Sequence, residues 1–208
     1  MRRTLRHHHL TMLGLGFALA ACETTTFMYA LPYEAGTDVL TWQDHETHAN
    51  GGKQLDLAGV HGRAPYRVVA ARPGVVRFIA DTHSVNCHSP DQCYNNYVYL
   101  QHSPGNEWSK YSHLATGTVT GAAGLQVGSQ VVAGQYLGDE SNVGMATGTN
   151  DGRHLHFEVV VPDDPATAAP VGFAGDFPAT LKIPRFCGVP GALVIKDSIY
   201  TAKACPWD

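Results

Sequence analysis

The clearest pattern of apolar and polar positions lies at residues 152–161, Gly152-Arg153-His154-Leu155-His156-Phe157-Glu158-Val159-Val160-Val161. Its alternation and its valines predict a β-strand. Successive strand side chains point to opposite faces, so Leu155, Phe157 and Val159 face a core while His154, His156 and Glu158 share the other side. At ~3.3 Å per residue the two imidazoles stand about 7 Å apart along the strand. Two such histidines can share a metal, or one can hold it while the other works on a substrate. A half-buried strand with two solvated histidines fits the same pattern. Glu158 reads as a solvated strand residue or as a carboxylate that orients a ring.

The rest of the chain predicts further strands. Tyr66–Ala71 and Val75–Ala80 flank Arg72-Pro73-Gly74 as a hairpin. Tyr97–His102 leads through the turn Ser103-Pro104-Gly105-Asn106 to a returning strand from Glu107 to Leu114. Alternation there puts Tyr111 and His113 on one face. Gly128 to Gly138 reads as strand-turn-strand, and a Gly/Asn/Thr-rich loop, 139–152, feeds the central strand. In Leu55-Asp56-Leu57 the acid points away from its apolar neighbours. If buried it needs a partner, because an unpaired buried charge is very costly. An Asx-turn or a surface aspartate fits too. The tail carries two apolar runs, Leu181–Ile183 and Ala192–Ile195, which read as an appended hairpin. No amphipathic helix of useful length and no repeat emerges. The expected class is all-β: a small antiparallel sheet domain at 37–161 with few or no helices, plus a short C-terminal β extension at 162–208.

Composition agrees, with 22 glycines and 12 prolines among 208 residues and only 15% charged residues. The formal charge of −4 argues against nucleic-acid binding. Residues 1–21 read as a secretory leader, with Arg2, Arg3 and Arg6 before an apolar stretch too short to span a membrane. It ends Leu19-Ala20-Ala21-Cys22, which resembles a bacterial lipobox, so Cys22 is the expected lipidation site and 22–36 a tether. Cleavage after a small residue, with Cys22 incidental, is the competing reading. Of five cysteines, four then remain, an even number suited to two disulfides in an oxidising compartment. Proximity pairs Cys87 with Cys93 and Cys187 with Cys205. Attachment to a membrane then comes from the lipid. Glu23 after the cysteine favours the outer membrane, facing the periplasm, in a cell that has two membranes.

Four separated segments carry a resemblance. Asp56 after a Gly-rich approach, Tyr111-Ser112-His113-Leu114, Gly128 to Gly138, and Gly152 to Glu158 follow in this order. Together they resemble the lysostaphin/LytM-type zinc peptidases, which cut peptides of bacterial peptidoglycan. The resemblance covers roughly 45–161 and implies a substrate groove, a Zn2+ cofactor and peptidoglycan peptides as partners. It implies His156 and Asp56 as zinc ligands and His113 and His154 as catalytic histidines. This donor set suits the metal, since a catalytic zinc takes three protein ligands and keeps a position for water. One departure stands out: the family's first histidine commonly lies four residues before the aspartate, where this chain has Gly52. His48, eight residues before, is the expected replacement, because some branches have a longer interval and His48-Ala49-Asn50-Gly51 looks similar to theirs. His45, or no first histidine, are the alternatives. His61 lies in an insertion, His83 and His88 are expected to face solvent, and His102 to be structural.

Three functions compete at this point. The first is a zinc endopeptidase of the cell wall. The second is an inactive lipoprotein of this type that activates a cell-wall amidase, favoured only by Gly52. The third is a protease on Gly-rich proteins.

Overall fold

The computed structural model describes residues 28–49, 52–89, 93–148 and 150–206. The expected leader, Cys22 and most of the tether lie outside them, as do Asn50 and Gly51. Thirteen strands follow in order: β1 (Met28–Tyr29), β2 (Asp38–Gln43), β3 (Leu55–Val60), β4 (Arg67–Val69), β5 (Gly74–Ala80), β6 (Tyr97–Gln101), β7 (Trp108–Ser112), β8 (Gln130–Val131), β9 (Tyr136–Asp139), β10 (Leu155–Pro162), β11 (Ala179–Lys182), β12 (Arg185–Phe186) and β13 (Ile199–Thr201). Helical structure among the described residues is confined to single turns such as Thr118–Ala122. The molecule is all-β, as its alternating pattern implies.

The main sheet runs β13-β2-β3-β10-β7-β6-β5-β8 and is antiparallel. β10, the strand read first from the sequence, lies at its centre. One edge of β10 pairs with β7. Its other edge pairs first with β3, through residues 155–157, and then with β11, through residues 159–162. Leu155, Phe157 and Val159 are buried in the large core, with Leu55, Leu57, Val98, Tyr111 and the small β4–β9 layer. Each fully buried side chain of this size contributes roughly 1.5–3 kcal/mol relative to exposure. A second apolar cluster of Tyr99, Trp108 and Val160 lies on the opposite face, the one that carries His156 and Glu158.

Two expected hairpins do not form. β4 pairs with β9 and β5 with β6 and β8, so the chain at Ala70–Gly74 crosses between layers. The backbone there is held by other elements: the Ala70 N–H donates to Gln135 and the Ala71 N–H to the Tyr111 hydroxyl. Gly128–Gly138 makes the return crossing, from β8 to β9. Two short apolar runs about a turn look alike in sequence whether they pair or change layer. The C-terminal segment likewise makes no hairpin of its own. Its strands join β10, β1 and β2 separately. Disulfides join Cys87 to Cys93 and Cys187 to Cys205, the pairs expected from proximity.

Candidate metal centre and active site

The site is built on one cross-strand row. Antiparallel register sets Asp56 of β3 opposite His156 of β10, and His156 opposite Ser112 of β7. Directly opposed strand residues have Cβ atoms only ~4.5–5.5 Å apart. The Asp56 carboxylate, flanked by core residues Leu55 and Leu57, therefore meets an imidazole: Asp56 Oδ1 lies 3.2 Å from His156 Nδ1.

His48 completes the group from the loop between β2 and β3. Its Nε2 lies 3.3 Å from the same Asp56 oxygen. The turn that presents it is organised by Asp44, whose carboxylate accepts from the backbone N–H groups of Glu46, Thr47 and Lys196 and from the Thr47 hydroxyl. The Asp44 carbonyl accepts the His48 N–H. Gly52 then lets the chain return, at φ 77°, with its Cα against the His45 carbonyl; a Cβ would stand 2.3 Å from that oxygen. So the glycine at the position where the family commonly has histidine is what allows His48, farther back, to reach the site. His45 is elsewhere, 3.9 Å from Glu46. One donor atom from each of His48, Asp56 and His156 lies within 4.8 Å of the others.

His154 and His113 face this group. His154 sits just before β10, bridged to Ser141, with Nε2 3.4 Å from Asp56 Oδ1. Its ring lies between Trp42 and His113, at centroid distances of 5.3 and 4.7 Å. His113 corrects the alternation reading. β7 ends at Ser112, and His113 takes a left-handed backbone, φ 64°. Tyr111 therefore points into the core and His113 to the opposite face, with its ring 6.1 Å from that of His156.

Hydrogen bonds fix which ring nitrogens face inward. Backbone carbonyls only accept, so Nδ1 must carry the proton in His48 (to Ala49, 2.8 Å), His113 (to Val143, 2.8 Å) and His154 (to Gly152, 2.8 Å). In each neutral ring Nε2 then presents a bare lone pair. Those of His48 and His154 point at a carboxylate. Lone pairs converging on an anion are favourable only around a cation, either protons on the rings or a metal, and an N/O/N donor set suits zinc. Burial pushes Asp56 up, but the three imidazoles crowded against it, His154, His156 and His48, outweigh it and hold the carboxyl well below its usual range. Burial pushes His156 down, but Asp56 and Glu158 raise it to about 9. Burial, with His154 and His156 beside it, holds His113 well below the usual histidine range.

Glu158 is not solvated. It is 3% exposed, lies 3.0 Å from the Lys110 ammonium and accepts a hydrogen bond from Gln54. The oxygen that accepts from Gln54 is also 3.9 Å from His156 Nε2, which makes Glu158 a neighbour of that ring. Lys110 was not singled out by the sequence; its signal was its place at the register position opposite Glu158. The remaining histidines among the described residues lie away from the group. His61 pairs with Asp38, His83 is half-buried against Tyr94 rather than free in solvent, and His88 is exposed. His102 is buried and bonded to Pro73 and Ser109, a structural residue as expected.

These groups line a groove of about 300 Å³, with Gln43, Gln54, Asn95, Met145, Thr147 and Phe173 around the histidines. Residues 52–168, more than half the chain, match peptidase family M23. Among curated proteins no sequence matches. Solved structures similar to the chain include the catalytic domain of the prophage-encoded M23 protein EnpA from Enterococcus faecalis, at 19% identity over 58% of this chain and 79% of that one, TM-score 0.41. The catalytic domain of lysostaphin from Staphylococcus simulans is 21% identical over 62% and 80%, TM-score 0.40. A zinc containing peptidase from Vibrio cholerae is 21% identical over 63% of this chain but only 33% of its own length, TM-score 0.38.

Proposed function

The chain belongs to peptidase family M23, and on that footing we propose that it is a zinc-dependent endopeptidase that hydrolyses peptides of bacterial peptidoglycan. The observation that carries the proposal is the convergence of His48, Asp56 and His156, faced by two further histidines in a groove. His48 Nε2, an Asp56 oxygen and His156 Nδ1 would hold the ion. Zinc so held supplies a water of pKa lowered toward ~7 and a Lewis acid for the scissile carbonyl.

The chain's own residues supply the rest. The Nε2 lone pairs of His113 and His154 are the groove's available proton acceptors, each ring fixed by its Nδ1–H bond to a carbonyl. Either can take the proton of an attacking water and, once protonated, donate to the developing oxyanion or the leaving nitrogen. Because burial keeps His113 neutral, its lone pair is ready at neutral pH. Glu158, itself held by Lys110 and Gln54, lies 3.9 Å from the outer nitrogen of His156 and biases that ring by its charge.

The test is zinc per chain in purified protein, together with release of peptides from purified peptidoglycan beside a Gly-rich protein. The expected result is one zinc, lost in His48→Ala and His156→Ala, and cleavage of the wall peptides. No zinc after metal repletion, with stimulation of a cell-wall amidase, would replace the enzyme with an activator. Faster cleavage of the Gly-rich protein would move the substrate class. We further propose that lipid on Cys22 holds the domain at the outer membrane, facing the periplasm; its loss in Cys22→Ser, read by mass spectrometry of the membrane fraction, checks this.

A further inference from the structure

After β10 the chain turns back over the site face of the sheet, and residues 173–177 are fastened there. The Asn95 N–H donates to the Phe173 carbonyl and the Tyr99 hydroxyl to that of Gly175, each at 2.9 Å. Phe177 packs against Phe78, Tyr99 and Trp108, with centroids 6.2, 5.1 and 5.6 Å away. Gly175, at φ 73°, lies so close that a Cβ would stand 2.1 Å from the Tyr97 ring. The Asp176 carboxylate pairs with Lys110. Phe173, Ala174 and Asp176 thereby line the same cavity as the metal group.

Charge gives this wall a direction. Lys110 is the one lysine or arginine among the described residues lining the cavity. It is already matched by Glu158 at 3.0 Å, with both side chains at most 4% exposed. Asp176 is a second carboxylate on the same ammonium. Its contact goes through Oδ1, its side chain is 57% exposed, and Oδ2 carries no hydrogen bond among the described residues. The groove wall therefore bears one unbalanced negative charge, on a backbone tied down by Asn95 and Tyr99.

Resting on the peptidase reading, we propose that residues 173–176 are a substrate-recognition wall, and that the Asp176 carboxylate binds an ammonium group of the peptide in the groove. The ammonium can belong to a chain end or to a side chain, and the probes separate the two. The full chain, stripped of metal by a chelator so that nothing is cleaved, is titrated with pentaglycine, N-acetyl-pentaglycine and N-acetyl-tetraglycyl-lysine amide in a calorimeter. Wild type is expected to bind the acetylated pentaglycine about tenfold more weakly than at least one amine-bearing peptide. Whichever amine-bearing peptide binds tightly identifies the source.

In Asp176→Asn, which keeps the oxygen that Lys110 contacts, all three affinities are expected within twofold, with an unchanged melting temperature. Equal binding of the three peptides to wild type, a preference that survives in Asp176→Asn, or no binding at all would each overturn the proposal. The peptidase reading stands or falls separately. Zinc-loaded protein that cleaves wall peptides without amine preference refutes the wall alone. Amine-selective binding without cleavage after zinc loading refutes the peptidase alone.

Discussion

Lys110 is the residue whose loss the structure prices most clearly. Burial pushes its ammonium down, but Glu158, Tyr99 and Asp176 outweigh it and hold the group above the ordinary lysine range. Burial likewise pushes Glu158 up, and Lys110 and His156 bring it well below the carboxylate range. At 3.0 Å the pair attracts by ~5 kcal/mol at an effective dielectric near 20. Lys110→Met keeps the apolar stem and removes the charge, leaving Glu158 buried with only Gln54 as a firm donor. Removing one partner of a buried pair costs about 3–5 kcal/mol, a large part of the 5–15 kcal/mol that holds typical domains folded. For a chain of this length that is a fall of roughly 10 °C in Tm. The assay is urea unfolding of the metal-free protein, followed by tryptophan fluorescence. The double variant Lys110→Met/Glu158→Gln should be more stable than Lys110→Met, since the neutral amide still accepts from Gln54. Asp176→Asn, at the exposed end, should cost less than about 1 kcal/mol. A double variant whose loss equals the sum of the two single losses would refute the coupling.

The other predictions address separate parts of the molecule. Gly52→Ala puts a Cβ 2.3 Å from the His45 carbonyl at a left-handed backbone, so the His48 loop shifts; zinc affinity by chelator competition should fall at least tenfold, on the order of other supporting-residue losses. Asp44→Ala removes the acceptor that organises the His48 turn, and zinc affinity should drop about 10–100-fold while Asp56 and His156 stay in register. His102 is pulled by burial to about 4, so folding favours its neutral form: stability is full above its unfolded value near 6.5 and declines as pH falls from there through 4, by about 3 kcal/mol in all. Urea midpoints across that pH range should show the decline, and His102→Gln should flatten it. The Cys187–Cys205 bridge closes an 18-residue separation, worth about 3 kcal/mol in chain entropy; the double serine variant should lose that much stability and keep its zinc.

The central strand was legible because its period of two has only one solution once Phe157 and Val159 must be buried: His154, His156 and Glu158 then share a face whatever surrounds them. Asp56 was legible for the same reason, as an acid between two core leucines that had to find a cation or donors. His48 was reachable only through resemblance, since its approach depends on a left-handed Gly52 against one carbonyl, a contact that no periodicity encodes. His113 shows where alternation itself fails. The strand rule assigns it to the side of Tyr111 as long as the backbone stays extended, and a single positive φ after Ser112 reverses the assignment. Lys110 and the wall at 173–177 were invisible for a different reason. A lysine in a strand reads as solvent-facing by default, and its burial is made tolerable by Glu158, which only the strand register sets beside it. Local pattern thus predicts residues whose neighbours lie on the same strand or the next. Residues placed by a loop's return, as His48 is, or by a tail folded back across the sheet, as Asp176 is, depend on contacts that no strand period encodes, and these are the ones that bring His48 and a second carboxylate to this groove.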